Sequence, residues 1–423
     1  MAEIDAVVGN SHKSLVAELA ADFANAAVIL SEEPALSEPK GSRTGRAAAA
    51  VEGPAFRPPA PEDATSGFVS LSRILVDDRF AHAELASLPF AADAQQTRPN
   101  LKVQDGCGNR CSFCIIPTTR GPSRSLPLET CLDNVHRFVD QGGQELVLSG
   151  INLGRWGRDL QPVRRFEELV DAILRRTSLP RLRLSSIEPM DWSDDLLALY
   201  REFASREHPR LARHAHLPLQ SGSDAILRRM YRRYRPWHYA ERLAKIRTLL
   251  PDAAIGADVM IGFPGETDAL FQESYDFIAA QPFTYLHLFP FSARPSTPAW
   301  ELHQQNPVPA RAVRERMAAL RSLIAEKSRA FRSGFIGRAL SAVTIEPLPQ
   351  GGTLAVTDNF LKLEIRAALP ANRLVAARVT GLTAEGLSGV LEAVDAPPPL
   401  PQELARPRPQ DFLAHPTQSA LLY

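Results

Sequence analysis

DGCGNRCSFCIIPTTRG, residues 105–121, sets Cys107, Cys111 and Cys114 on a C-x3-C-x2-C spacing directly after the short apolar run LKVQ at 101. Three thiolates on so short a loop suit three irons of a cubane cluster and leave the fourth iron open. An open iron is able to chelate the amino and carboxylate groups of a small molecule, whereas a fully ligated cluster usually only transfers electrons. Gly106, Gly108 and Gly121 let the backbone curl closely around such a group. Phe113, Ile115 and Ile116 are placed to shield it from water. Two blander accounts compete. A structural zinc site needs a fourth Cys or His near by, and none appears before Cys131. Three unrelated core cysteines within eight residues would be a coincidence.

Outward from the loop, short apolar runs alternate with helical patterns between about residues 99 and 335. The runs are LKVQ at 101, ELVLS at 145, LRLSS at 182, AHLPL at 215, AIGADVMIG at 254 and TYLHLF at 284. Amphipathic stretches at 128–141, 166–176, 224–231 and 268–280 follow most of them. Six β-α units in a row imply a parallel sheet with helices outside, either doubly wound or a partial or full barrel. In such folds chemistry sits at the carboxyl ends of the strands. From 336 to 393 the texture becomes all-β, with LSAVTIE, TLAVT, FLKLEI, LVAARVTGL and GVLE separated by turn signals at Gly351-Gly352 and Asp358-Asn359. A small β-barrel is expected there. Residues 1–30 read as a short strand and a helix. Residues 31–98 begin as a Pro- and Ala-rich stretch without periodicity and read as a linker, partly disordered, and 394–423 as a disordered tail.

The chain has 423 residues, 48 basic and 48 acidic, so nucleic-acid affinity must come from local clusters rather than net charge. Four cysteines, three of them in one loop, make a poor disulfide framework and fit a reducing compartment. No run approaches the roughly 20 apolar residues of a membrane span, and the first residues lack a secretory pattern, so a cytoplasmic protein without a membrane partner is expected.

The cysteine loop, with Phe113 before its last thiol, resembles the radical S-adenosylmethionine superfamily. CSFCIIPTTRGPSRS, ELVLSGINLGRWG, LRLSSIEP, HLPLQSGSDAILRRMYRRY, DVMIGFPGET and LHLFPFSARPSTPA narrow the resemblance to the methylthiotransferases, most of all the branch acting on threonylcarbamoyladenosine in tRNA. It covers about residues 99–392. The resemblance implies a partial (β/α)6 barrel with a truncated N-terminal α/β domain and a C-terminal barrel of the TRAM type. It implies one [4Fe-4S] cluster on Cys107, Cys111 and Cys114, S-adenosyl-L-methionine as cofactor, and a low-potential reductant such as flavodoxin or ferredoxin. By position at strand ends, Ser149, Gly150 and Asn152 correspond to the family's site for the methionyl part of the cofactor. Ser185, Ser186 and Glu188 are candidates for ribose or substrate, and His216, Gln220 and Ser221 line the next mouth. Asp258, Ile261, Gly262, Pro264 and Glu266 form the adenine-side motif, and His287, Ser292 and Arg294 close the sixth strand. The family's sulfur donor is a second [4Fe-4S] cluster held by three N-terminal cysteines. Residues 1–106 contain none. Cys131 reads as core packing, and EIDAVVGNSHKSLV resembles the late part of the family's N-terminal domain, so a missing beginning is expected.

Between 205 and 250 stand eleven Arg or Lys against three Asp or Glu. Arg228, Arg229, Arg232, Arg233 and Arg235 interleave with Tyr231, Tyr234, Trp237 and Tyr239, a pattern suited to phosphates and unstacked bases. A solvated helical face with inward aromatics is the competing account. The TRAM-like barrel tips the balance towards a tRNA substrate. A ribosomal-protein methylthiotransferase and a catalytically incomplete RNA-binding homologue are the alternatives.

Overall fold

The computed structural model describes residues 6–8, 73–75, 97–204 and 209–392. The chain divides into two compact units, Met1–Ala81 and His82–Tyr423. In the first, strand β1 (Ala6–Val8) pairs in parallel with β2 (Arg73–Leu75), Ala6 opposite Arg73. The strand expected within residues 1–30 is thus β1, and its helix lies outside the described residues, as does the 394–423 tail. Strand β2 falls inside the stretch read as a linker, most of which also lies outside them. Three residues, RIL, are too few to carry a periodicity, so that strand left no signal.

In the second unit all six core strands are present: β3 (Asn100–Asp105), β5 (Glu145–Gly150), β6 (Arg181–Leu184), β7 (His214–His216), β8 (Ala254–Ile261) and β9 (Tyr285–Pro290). Strands β3, β5 and β6 pair in parallel in that order, as do β7, β8 and β9, and the two sheets meet at a parallel bridge from Leu182 of β6 to Leu211, three residues before β7. Among the described residues β3 and β9 are not paired to each other, so the sheet is a partial barrel of six β-α units. The two-residue β4 (Arg124–Ser125), antiparallel to β3, was not foreseen. Helices α1 (Ile116–Arg120), α2 (Leu128–Asp140), α3 (Phe166–Arg176), α4 (Asp194–Phe203), α5 (Asp224–Arg229), α6 (Pro236–Leu249) and α7 (Asp268–Ala280) fill the connections, and α8 (Pro298–Gln305) and α9 (Ala310–Ser333) follow. On α3, Phe166, Leu169, Val170, Ile173 and Leu174 are buried at helical spacing, each contributing roughly 1.5–3 kcal/mol by leaving water. Thr267 caps α7, its hydroxyl accepting from the Leu270 amide at 3.3 Å.

Strands β10 (Ala339–Pro347), β11 (Thr353–Thr357), β12 (Lys362–Ile365), β13 (Leu374–Leu382) and β14 (Leu387–Leu391) close into a barrel in the order β10-β11-β12-β14-β13. Its core is Leu340, Ala355, Leu363, Ile365, Val379 and Leu387. This barrel docks against the amino ends of the core strands. Arg183 of β6 donates to the Asp358 and Thr357 carbonyls at 3.1 and 3.0 Å. Arg213, just before β7, forks onto the Asp358 carboxylate at 2.5 and 3.0 Å, and Asn359 donates to the Asp252 carbonyl at 3.1 Å. Fully buried Glu145 receives Arg183 at 2.7 Å. Burial pushes the Glu145 carboxyl up, but Arg183, Arg181 and Arg98 outweigh it and hold the group below the usual range.

Candidate functional site

The cysteine loop leaves the carboxyl end of β3, and one side chain shapes it. Buried Gln104 donates Nε2 to the Asp105 and Gly106 carbonyls, both at 2.8 Å, and to Ser123 at 2.9 Å. Its Oε1 accepts the Asn152 amide at 2.7 Å, which ties the loop to the end of β5. Gly106 is required: at φ +72° a Cβ would lie 2.0 Å from the Pro122 carbonyl oxygen. The Cys107 amide donates to the Gly121 carbonyl at 3.1 Å and the Cys114 amide to that of Cys111 at 3.1 Å.

Cys107, Cys111 and Cys114 are free and half-buried. Donors point at their sulfurs: the Asn109 amide at 3.4 Å and Asn152 Nδ2 at 3.5 Å from Cys107, and Arg232 Nη1 at 3.2 Å from Cys111. Among the described residues the one trio of His, Cys, Asp or Glu ligand atoms gathered within 4.8 Å is His216, Asp258 and His287. The three thiols therefore do not meet at the spacing of a single ion, which counts against zinc and fits a larger cluster. Burial pushes the Cys111 and Cys114 thiols up, the effect at Cys111 being partly countered by Arg232. Cys131 is wholly buried on α2, its thiol pushed by burial up to about 12. It is a core residue, as its helical spacing indicates.

The remaining expected residues divide into two groups. Ser149, Gly150, Asn152, Ser185, Ser186, Glu188, Gln220, Asp258 and His287 stand on β5, β8 and β9 or just beyond the ends of β5, β6 and β7. Asn152 Oδ1 and Gln220 Oε1 are buried without a partner among the described residues, which is the condition of acceptors awaiting a ligand. Ser186 Oγ lies 2.6 Å from His216 Nδ1, and the Asp258 carboxylate lies 3.5 Å from His216 Nε2 and 3.2 Å from His287 Nδ1. Burial lowers His216 to about 4, so it is neutral at pH 7, while the hydrogen bond that His287 donates to the Asp258 carboxylate raises His287.

The second group is engaged elsewhere. Phe113 packs on the core as a shield. Ile261 is three residues from Asp258, faces the other side of β8 and is buried. The Gly262 amide donates to Glu266 Oε2 at 2.9 Å, and Glu266 also holds Arg316 at 2.7 Å. Neither residue thus presents the free ledge or open backbone expected for a purine. Ser221 bonds Ser274 at 2.9 Å. Of the five arginines, Arg228, Arg229 and Arg233 are exposed and Arg235 is half-buried, but Arg232 is buried and bound to Glu188, so it is not a phosphate contact. Tyr231 and Trp237 are exposed; Tyr234 and Tyr239 are buried. Gln104 and the link from Arg232 to the thiol were missed. Neither carried a local signal: α5 ends at Arg229, and the turn at Met230 and Tyr231, the latter at φ +57°, turns Arg232 inward.

Partial barrel, thiol loop and buried acceptors together define a radical S-adenosylmethionine enzyme, and the model of the radical SAM superfamily matches residues 101–278. Threonylcarbamoyladenosine tRNA methylthiotransferase MtaB of Bacillus subtilis is 35% identical over 280 residues, 65% of this chain and 60% of that protein. The protein of the same name from Rickettsia prowazekii is 33% identical over 313 residues, 73% and 71%. A tRNA-2-methylthio-N(6)-dimethylallyladenosine synthase of Thermus thermophilus is 32% identical over 304 residues, 71% and 63%. The chain belongs to the radical S-adenosylmethionine methylthiotransferase family. It spans between 60% and 71% of the length of these three relatives.

Proposed function

We propose that the chain is a cytoplasmic tRNA methylthiotransferase whose substrate is the adenine of threonylcarbamoyladenosine beside the anticodon. The observation that carries this reading is the convergence of three half-buried thiols with two unpartnered buried acceptors at the carboxyl ends of one parallel sheet. The names of the relatives favour tRNA, with threonylcarbamoyladenosine enzymes at 33–35% identity beside dimethylallyladenosine synthases at 32–36%, and the motifs quoted above favour the threonylcarbamoyl form. Cys107, Cys111 and Cys114 would hold a [4Fe-4S] cluster, which when bound would supply one electron for cleavage of S-adenosyl-L-methionine, drawn from a low-potential reductant such as flavodoxin or ferredoxin.

This chain's residues bind, orient and exclude. Ser149, Gly150 and Asn152 present backbone and amide groups to the amino acid end of the cofactor. Ser185, Glu188 and Gln220 offer acceptors to its sugar. His216, kept neutral by burial with Ser186 on Nδ1, and His287, whose protonated form Asp258 favours, face the substrate side of the proposed site. Phe113 keeps water from the sulfurs, which matters because a primary carbon radical attacks whatever lies nearest. Exposed Arg228, Arg229 and Arg233, with Tyr231 and Trp237, are the proposed tRNA contacts. A family-type sulfur donor needs a second set of soft ligands, and beyond the loop the chain has Cys131 alone.

Two measurements test this. Reconstituted protein with dithionite should form 5'-deoxyadenosine from S-adenosyl-L-methionine, and Cys107→Ala should not. Nucleoside mass spectrometry of tRNA from a complemented deletion strain reads the substrate: methylthio on dimethylallyladenosine, or on a ribosomal protein instead, would sink the assignment.

A further inference from the structure

Arg232 is the least expected member of the basic stretch. It is 7% exposed, although both neighbours in sequence are exposed. Each face of its guanidinium is engaged. Nη1 points at Cys111 Sγ at 3.2 Å, Nη2 holds the Glu188 carboxylate, and Nε reaches the Tyr234 hydroxyl at 3.2 Å. The group also lies over the Tyr234 ring, 4.9 Å from its centre, and that hydroxyl is anchored by donation to the Pro218 and Leu219 carbonyls, both at 2.8 Å. The segment is stitched to the cysteine loop itself: the Ser112 amide donates to the Met230 carbonyl at 3.1 Å and Ser112 Oγ to that of Arg229 at 2.7 Å. A cation is therefore held against one of the three sulfurs, in a cleft shared with Asn109, Arg155 and Glu188.

We propose that Arg232 is a positioning residue that raises the reduction potential of the iron–sulfur cluster by donating a charge-assisted hydrogen bond to the Cys111 thiolate. The inference rests on the radical S-adenosylmethionine reading. Reduction adds a negative charge to an already anionic group, and a buried cation 3.2 Å from a ligand sulfur offsets it where solvent screens little. Hydrogen bonds to cluster sulfurs are among the determinants of these potentials. Glu188 neutralises part of the charge, so the effect is set at about tenfold in the reduced-to-oxidised ratio, equal to about 59 mV for one electron.

The test is an anaerobic redox titration of the full-length reconstituted protein, followed by electron paramagnetic resonance without S-adenosyl-L-methionine, so that cofactor affinity cannot enter. With about four irons per chain, Arg232→Gln should titrate at a potential lower by about 59 mV, and Arg232→Lys should fall between it and the parent. Arg311→Gln, at an exposed arginine of α9 paired with Glu315, should titrate like the parent. Glu188→Gln, which frees the full charge of Arg232, should move the potential up. That arm decides the matter if Arg232→Gln takes up no cluster. An unchanged potential in iron-replete Arg232→Gln, or a downward shift in Glu188→Gln, overturns the proposal and leaves Arg232 as the partner of Glu188. Failure of the unmodified protein to bind iron would instead overturn the cluster reading.

Discussion

Asp358→Ala tests whether the two cores of the second unit are held together by their shared charges. The Asp358 side chain is fully buried and takes a forked pair of bonds at 2.5 and 3.0 Å from Arg213, itself 4% exposed. Removing the carboxylate strands a buried guanidinium, which costs about 3–5 kcal/mol. Asp252 remains 3.4 Å from Arg213, which places the loss near the lower bound. At about 2 °C per kcal/mol for a unit of this size, the calorimetric midpoint should fall by about 6 °C. Asp358→Asn keeps one acceptor and should lose less. Lys362→Ala breaks an exposed pair with Glu385, 2.6 Å apart with both side chains more than half exposed, and should cost less than about 1 kcal/mol. A drop below about 2 °C for Asp358→Ala, or one no larger than that of Lys362→Ala, would refute the reasoning, since solvent would then be screening the pair.

Anaerobic reconstitution should give about four irons per chain. Cys111→Ala or Cys114→Ala should lose them and Cys131→Ala keep them, as read by iron and sulfide assay. Gly106→Ala forces a Cβ into the Pro122 carbonyl and should abolish iron uptake while circular dichroism stays near that of the parent. His216, lowered by burial to about 4, binds its proton more readily unfolded than folded. Its contribution to stability is therefore complete above pH 6.5 and fades as pH falls towards 4, by about 3 kcal/mol at most; His216→Gln should flatten the melting profile between pH 6.5 and 4.5. Changing Arg228, Arg229 and Arg233 together to Gln should reduce the salt slope of tRNA binding by about three, measured by fluorescence anisotropy, and an unchanged slope would leave that surface without a nucleic-acid role.

The strands and the thiol loop were legible because both announce themselves locally. LKVQ or AIGADVMIG is a short apolar run bounded by turn residues, and C-x3-C-x2-C needs no tertiary context to be chemically unusual. What the local pattern concealed is where a charged side chain points. Arg232 sits in a run of arginines and reads as surface until the turn after α5, with Tyr231 at φ +57°, is found to carry it inward onto Cys111 and Glu188. Gly262 reads as open backbone until Glu266, four residues on, is found capping its amide. The site residues on strand ends came together because position along a parallel strand already places them. The dock between core and barrel had no such guide, because Arg183 and Asp358 are 175 residues apart in sequence.

That dock makes the C-terminal barrel an integral part rather than a spare part. Arg183 and Arg213 find their acceptors on the turn that carries Thr357 and Asp358, and Phe360 from the same turn stacks on His214, ring centres 4.6 Å apart. A core expressed without the barrel would inherit two arginines shaped for burial that keep only Glu145 and Asp252 as partners. Grafting a foreign barrel onto this core would then fail at the seam unless the donor brought an acidic turn in the same register, so exchange between relatives is restricted to those that carry this charge code.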